Sequence, residues 1–144
     1  MPPPPLVFVH IGAAFLLGKL APLPIEAPPL VRPVGFGLAV IGLLLGLIAL
    51  LEFDRTRKRA RREGVKARLV TTGIYRWTRN PVYLGYVAML AGVTLFRGNF
   101  WGLALVPLLV LTMNGLVIRP EEADLAERCP EEFAAYRARV RRWL

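Results

Sequence analysis

Two arginines, three tyrosines and an Asn-Pro step fall within GIYRWTRNPVYLGY, Gly73 to Tyr86, at the threshold of an apolar run. A carboxylate pair, Glu121-Glu122, follows the next apolar run. Arg, Asn and Tyr side chains donate hydrogen bonds and ionised Glu accepts them, so the two clusters brought together would hold a zwitterion: a ligand with a carboxylate, an amine and a cationic centre. Each cluster also has a plainer reading. Arg76 and Arg79 can be anchors that snorkel to a membrane surface, Tyr75, Trp77 and Tyr83 an aromatic belt, and Glu121-Glu122 an acidic first turn that stabilises a helix. Other chemistry is missing from the sequence. It has no GxGxxG after a strand, no GxxxxGKS/T, no HExxH and no CxxC. Gly35-Phe36-Gly37 reads as helix packing or a flexible entry to a span. His10, the one histidine, reads as a satisfied interface residue, and no metal site is expected. A single Cys129 excludes an intramolecular disulfide.

The elements that must bring the clusters together are membrane helices. The 144 residues suffice for one domain, 55% of them are apolar or aromatic, and the mean hydropathy is +0.46, beyond what a soluble core of this size requires. The 19 Lys and Arg exceed the 10 Asp and Glu by nine. Nucleic acid is excluded as the reason by where the charges fall. Ten basic residues lie between Asp54 and Asn80 and six follow Ile118, leaving only Lys19, Arg32 and Arg97 elsewhere. This is the positive-inside pattern of a multi-pass membrane protein.

Four segments approach the roughly 20 apolar residues that a span requires: 6–23, 33–53, 81–96 and 100–118. The first, which includes Lys19 near its end, reads as a span and not as a signal peptide. The second carries Gly42 and Gly46 at a spacing that lets two helix backbones approach. The last two form a hairpin about Arg97-Gly98-Asn99. With the basic segment 54–80 and the C-terminus in the cytoplasm, four spans put the N-terminus there too. The start of the third span and the end of the fourth then meet on the cytoplasmic face. Residues 119–144 are polar enough to leave the bilayer as helices. Pro130-Glu131-Glu132 opens the last one, and Phe133, Tyr136, Val140 and Trp143 stripe one face of it, suited to lie against the membrane or the other helices. The expected fold is therefore all-α, a single transmembrane domain over 1–144 with a cytoplasmic amphipathic C-terminal segment.

From Leu69 onward the sequence resembles the membrane-embedded methyltransferases that include isoprenylcysteine carboxyl methyltransferase and the phospholipid methyltransferases. Their pattern LVTxGxYxxxRHPxYxG, a hairpin and an EExxL segment stands here as LVTTGIYRWTRNPVYLG, a hairpin and Glu121-Glu122-Ala123-Asp124-Leu125. Asn80 replaces the family His, Cys129-Pro130 replaces Phe-Gly, and Phe133 replaces a Tyr.

The resemblance implies S-adenosylmethionine as methyl donor, bound on the cytoplasmic side by Tyr75, Arg79, Asn80, Pro81, Tyr83, Gly85, Glu121 and Glu122. It also implies a lipophilic acceptor that enters from a bacterial inner or plasma membrane. Asn80 can donate a hydrogen bond to the cofactor carboxylate, as a neutral His would. A carboxylate acceptor, of the isoprenylcysteine type, needs a cation to place it, and Arg119 is the nearest. An amine acceptor, of the phospholipid type, needs a base, and Glu122 could take the proton. Two other classes are a transporter, for which the apolar span centres are a poor match, and a non-catalytic adaptor on the same scaffold.

Overall fold

A computed structural model describes residues 5–23, 25–64 and 69–144; Met1 to Pro4, Pro24 and the stretch 65–68, which includes the basic Lys66 and Arg68, lie outside them. The described residues are helical and contain no strand. Helices α1 (Pro5–Leu20) and α2 (Val31–Arg62) lead to a single 3-10 turn, Gly73–Arg76, and to α3 (Pro81–Phe96). Then come α4 (Trp101–Met113), a π turn at Asn114–Ile118, α5 (Arg119–Arg128) and α6 (Pro130–Arg139).

Two boundaries differ from the expected ones for physical reasons. The second span was expected to end at Phe53, with a loop over 54–80, yet α2 runs on to Arg62. Arg and Lys are good helix formers, and the pairs Asp54–Lys58 at 2.6 Å and Arg59–Glu63 at 3.0 Å sit one turn apart on its surface. The second difference lies after Ile118, where a fresh helix was expected. Instead α4, the π turn and α5 are one continuous helix from Trp101 to Arg128, with helical dihedrals at Met113 and Ile118. Glu121 and Glu122 therefore sit inside a helix, where no unpaired first-turn N–H groups await an acidic partner. The C-terminal stripe also divides. Phe133, Tyr136 and Val140 are buried with Cys129 against Leu69 and Leu125, whereas Trp143 packs on the cluster of Tyr83, Leu90 and Met113.

The long helices pack inside out relative to a soluble protein. Only Gly35, Gly42, Gly46 and Ala49 of α2 are buried, while Val34, Phe36, Ile41, Leu44, Ile48 and Leu51 stand exposed. The buried stripe lies against α3 at backbone distance. A methyl group on Gly42 would come 2.7 Å from the Gly85 carbonyl, one on Gly85 would come 2.7 Å from the Gly42 carbonyl, and one on Gly92 would collide with the Ala39 backbone. On the other side of α3, Tyr83 and Leu90 join Val7 of α1 and Leu109, Met113, Val117 and Ile118 of the long helix in the main core. At one end, the Asn99 amide donates to the Ala14 carbonyl and the Trp101 indole to the Ala21 carbonyl, each at 2.8 Å, fastening the α3–α4 turn to α1. The clusters of interest gather at the opposite end. Helices α2 and 101–128 are long and apolar enough to cross a membrane, and α1 and α3 are shorter apolar helices.

Candidate functional site

The segment between α2 and α3 is pinned at both edges. Gly73 has φ +55°, open to glycine, and a side chain there would press on Glu52, whose carboxylate accepts the Thr72 hydroxyl at 2.6 Å. The 3-10 turn then carries Tyr75 inward, its hydroxyl 3.4 Å from the Ala49 carbonyl of α2. Pro81 starts α3 in a first-turn position where its missing N–H costs nothing. In the long helix, Ile118, Glu121, Glu122 and Leu125 recur at three and four residues and so share one face.

These elements, closed by α6, surround a cavity of about 430 Å³, within the range of small-molecule sites. Of the residues expected to form a site, Tyr75, Arg79, Asn80, Pro81, Tyr83, Glu121 and Glu122 line it. Two do not. Arg119 is exposed and outside the cavity wall; at about 100° per residue it points away from the face that Ile118 and Glu122 share. Gly85 belongs to the α2–α3 contact, where a side chain would strike the backbone of Gly42 and Gly46. Its motif position is explained by packing.

Within the cavity the polar groups form two centres. The Tyr83 hydroxyl donates to Glu121 Oε2 at 2.8 Å. Glu122 sits between two guanidiniums, with Arg79 Nη2 at 3.3 Å from Oε1 and Arg142 Nη2 at 2.5 Å from Oε2. The Arg79 and Glu122 side chains are only 11% and 13% exposed. Arg79 keeps two N–H groups, at Nε and Nη1, buried with no hydrogen-bond partner. Burial works against its charge and Glu122 supports it, so its pKa falls below the ordinary arginine value while the group stays protonated. Arg142 is shifted the other way, upward, by its hydrogen bonds to Glu122. The tyrosines at the wall are neutral phenols. Tyr75 is pushed up to about 12 by burial and then by the charges of Glu121 and Glu52. Tyr136, whose hydroxyl donates to the Tyr75 carbonyl at 2.7 Å, is pushed up to about 12 by burial.

Asn80 has a partner within the chain. Its amide donates to the Arg142 carbonyl at 3.0 Å, which also accepts the Thr78 hydroxyl at 3.2 Å. The C-terminal residues are thus part of the site. Phe133 and Tyr136 were visible in the sequence as an apolar stripe, but Thr78 and Arg142 carried no signal. One arginine among several at a basic C-terminus is indistinguishable by type, and only the chain path past Val140 selects it.

Residues 31–129 match the phospholipid methyltransferase family. The chain belongs to that family. The matched region contains α2, α3, the long helix and every expected site residue, and stops at Cys129, before α6 and the tail. Over 72 residues the chain is also 33% identical to the protein-S-isoprenylcysteine O-methyltransferase of Schizosaccharomyces pombe, a stretch that is 50% of this chain and 30% of that relative. The similarity therefore spans under a third of that relative's length. No solved structure matches the chain significantly. Family membership makes this a methyltransferase scaffold, and within it the cavity at the Arg-Asn-Pro turn is the candidate active site.

Proposed function

We propose that the chain is an integral membrane enzyme that moves a methyl group from S-adenosylmethionine to a lipophilic acceptor resident in the membrane. The observation that carries this reading is the convergence of seven motif residues, from two clusters separated by a hairpin, on one cavity whose wall includes an arginine with two unpaired N–H groups. The donor set suits that cofactor. Arg79 has N–H groups for a carboxylate, Glu121 is an anion for an ammonium or a sulfonium, Glu122 holds Arg79 in place, and Tyr75, Phe133 and Tyr136 give flat walls. When bound, the cofactor supplies an electrophilic methyl on sulfur, so the protein's share is alignment and the exclusion of water.

In this reading four helices cross the bilayer and the cavity faces the cytoplasm of a bacterial inner or plasma membrane. Helix α2, 32 residues long, extends about 48 Å, beyond a hydrocarbon core of about 30 Å, and its basic end projects among the headgroups. A polar cofactor arrives from the water side, and the acceptor arrives sideways from the lipid.

The clamp on Glu122 favours an acceptor with no proton to lose. Both Glu122 oxygens are engaged by guanidinium N–H groups, so the contact through which an amine would hand over its proton is already taken. This supports a carboxyl acceptor, of the isoprenylcysteine type, over the amine of a phospholipid. Arg119 is badly placed to orient it. Arg57, which lines the cavity with its guanidinium 5.5 Å over the Phe53 ring, is the better-placed cation.

The test is isothermal titration of the detergent-purified protein with S-adenosylhomocysteine. Saturable, stoichiometric binding is expected. No heat from a protein that retains its helical circular dichroism would sink the cofactor reading.

A further inference from the structure

Glu122 has two cationic neighbours, and they share it unevenly. Arg142 takes both oxygens, Nε to Oε1 at 3.2 Å and Nη2 to Oε2 at 2.5 Å. Arg79 reaches only Oε1, through Nη2, at 3.3 Å. A carboxylate pairs best with one guanidinium, fork to fork. Once Arg142 has that fork, Arg79 is left with a single long contact and with Nε and Nη1 unpaired. Two cations against one anion also leave this cluster of three with net positive charge.

The tail that delivers Arg142 is itself tied down. The Arg141 carbonyl accepts the backbone N–H of Arg79 at 3.0 Å, the Arg142 carbonyl accepts from Asn80 and Thr78, and the Trp143 indole donates to Asn114 Oδ1 at 3.3 Å, in the π turn. The backbone of the tail thus holds the Arg79 backbone, and its Arg142 side chain holds the Glu122 carboxylate. All of it lies beyond the residues matched to the family.

We propose that Arg142 is a positioning residue that saturates Glu122 and so keeps Arg79 available for the carboxylate of the ligand. The inference rests on the S-adenosylmethionine reading and adds to it a device that sets ligand preference without contact. Without the Arg142 charge, Arg79 turns to pair fork to fork with Glu122 and the pair is neutral, so fewer N–H groups and no surplus positive charge remain for an anionic group. Arg142 thereby favours ligands that carry a carboxylate over those that lack one.

The experiment titrates native protein, Arg142→Gln and Arg142→Lys with S-adenosylhomocysteine and with its decarboxylated analogue. Native protein is expected to prefer the carboxylate-bearing ligand by about tenfold or more, the worth of a charged hydrogen bond. Arg142→Gln should lose most of that preference, through weaker binding of S-adenosylhomocysteine, with the analogue changed by no more than about twofold. Arg142→Lys, which keeps the charge but not the fork, should fall between. A merely structural role would weaken both ligands in parallel. Parallel loss, or a native preference in Arg142→Gln, overturns the inference. Should Arg142→Gln be too unstable to titrate, Arg142→Lys decides alone: a reduced preference supports the inference and a native one overturns it. Native protein that binds both ligands equally overturns it while leaving the cofactor reading intact. Native protein that binds neither overturns the cofactor reading, and this inference with it.

Discussion

Helix α3 serves two regions built on opposite terms. Where Gly85 and Gly92 meet Gly42 and Ala39 of α2, there is no space for a methyl group and no side chain to move aside. A few residues earlier, Arg79, Asn80 and Tyr83 edge a cavity of about 430 Å³, and Arg79 keeps two N–H groups without partners. In lipid the seam gains nothing from excluding water, so its stability comes from close van der Waals contact of backbones, which only small residues permit. The cavity wall has the reverse character. It holds charges in place that a tighter packing would neutralise. One run of motif residues, Tyr75 to Gly85, therefore contains both a binding surface and the joint that supports it.

The strongest way to break this division is to fill the joint. Gly85→Leu forces α2 and α3 apart, because the atoms it meets are backbone, and overpacking of this kind costs about 3 kcal/mol or more. Thermal unfolding in detergent should show a large loss of stability, and any folded fraction should bind S-adenosylhomocysteine poorly, since the cavity wall moves with α3. A Gly85→Leu protein of native stability would mean that the seam is not tight. A stable variant with lost binding would restore Gly85 to the site.

Glu122→Gln should act at the other region, with a smaller effect on folding. It leaves Arg79 and Arg142 facing each other without the intervening anion, and with the group largely buried this should cost roughly 1–3 kcal/mol of stability and about ten- to a hundredfold in affinity for S-adenosylhomocysteine. The seam should remain closed: amide exchange in the α2–α3 contact stays slow while α6 and the tail exchange faster. Uniform acceleration across both regions would show that they are one cooperative unit.

The sequence made different parts of this legible for different reasons. The α3 boundaries, Pro81 and Phe96, follow from a first-turn proline and an Arg-Gly-Asn turn, both local signals. The carboxylate pair and the Arg-Asn-Pro step could be matched because their residue types are rare beside lipid, and the hairpin between them dictates that they meet. Arg119 is near the carboxylate pair along the chain but not on the same face, because a helix turns successive residues about 100° apart. The end of α2 is not legible in the same way, because polarity marks where an apolar run ends and says nothing of where the helix stops. Arg142 was out of reach, since its place depends on the extended backbone at Val140, with φ −123° and ψ 129°, that folds the tail back over Thr78.

The mildest probe separates the two regions by pH. Tyr136 is buried, and its folded-state pKa of about 12 stands above the ordinary value of 10.0, as does that of Tyr75. A phenol whose pKa is raised on folding keeps its proton in the native state after the unfolded chain has lost its own. Its contribution to stability is therefore complete below about pH 10 and disappears as pH rises towards 12. The α2–α3 seam contacts are glycine, alanine and backbone and offer nothing to titrate. Alkaline loosening should accordingly begin at α6 and the 3-10 turn, with the seam still protected. Tyr136→Phe should cost about 1 kcal/mol near pH 7, the hydrogen bond to the Tyr75 carbonyl, and should flatten the decline between pH 10 and 12. Tyr75 would supply the slope that remains. If native and Tyr136→Phe proteins lose stability with the same slope over that window, the buried phenol at the cavity wall is not what alkali acts upon, and the contrast between a titratable site and an inert seam fails at that point.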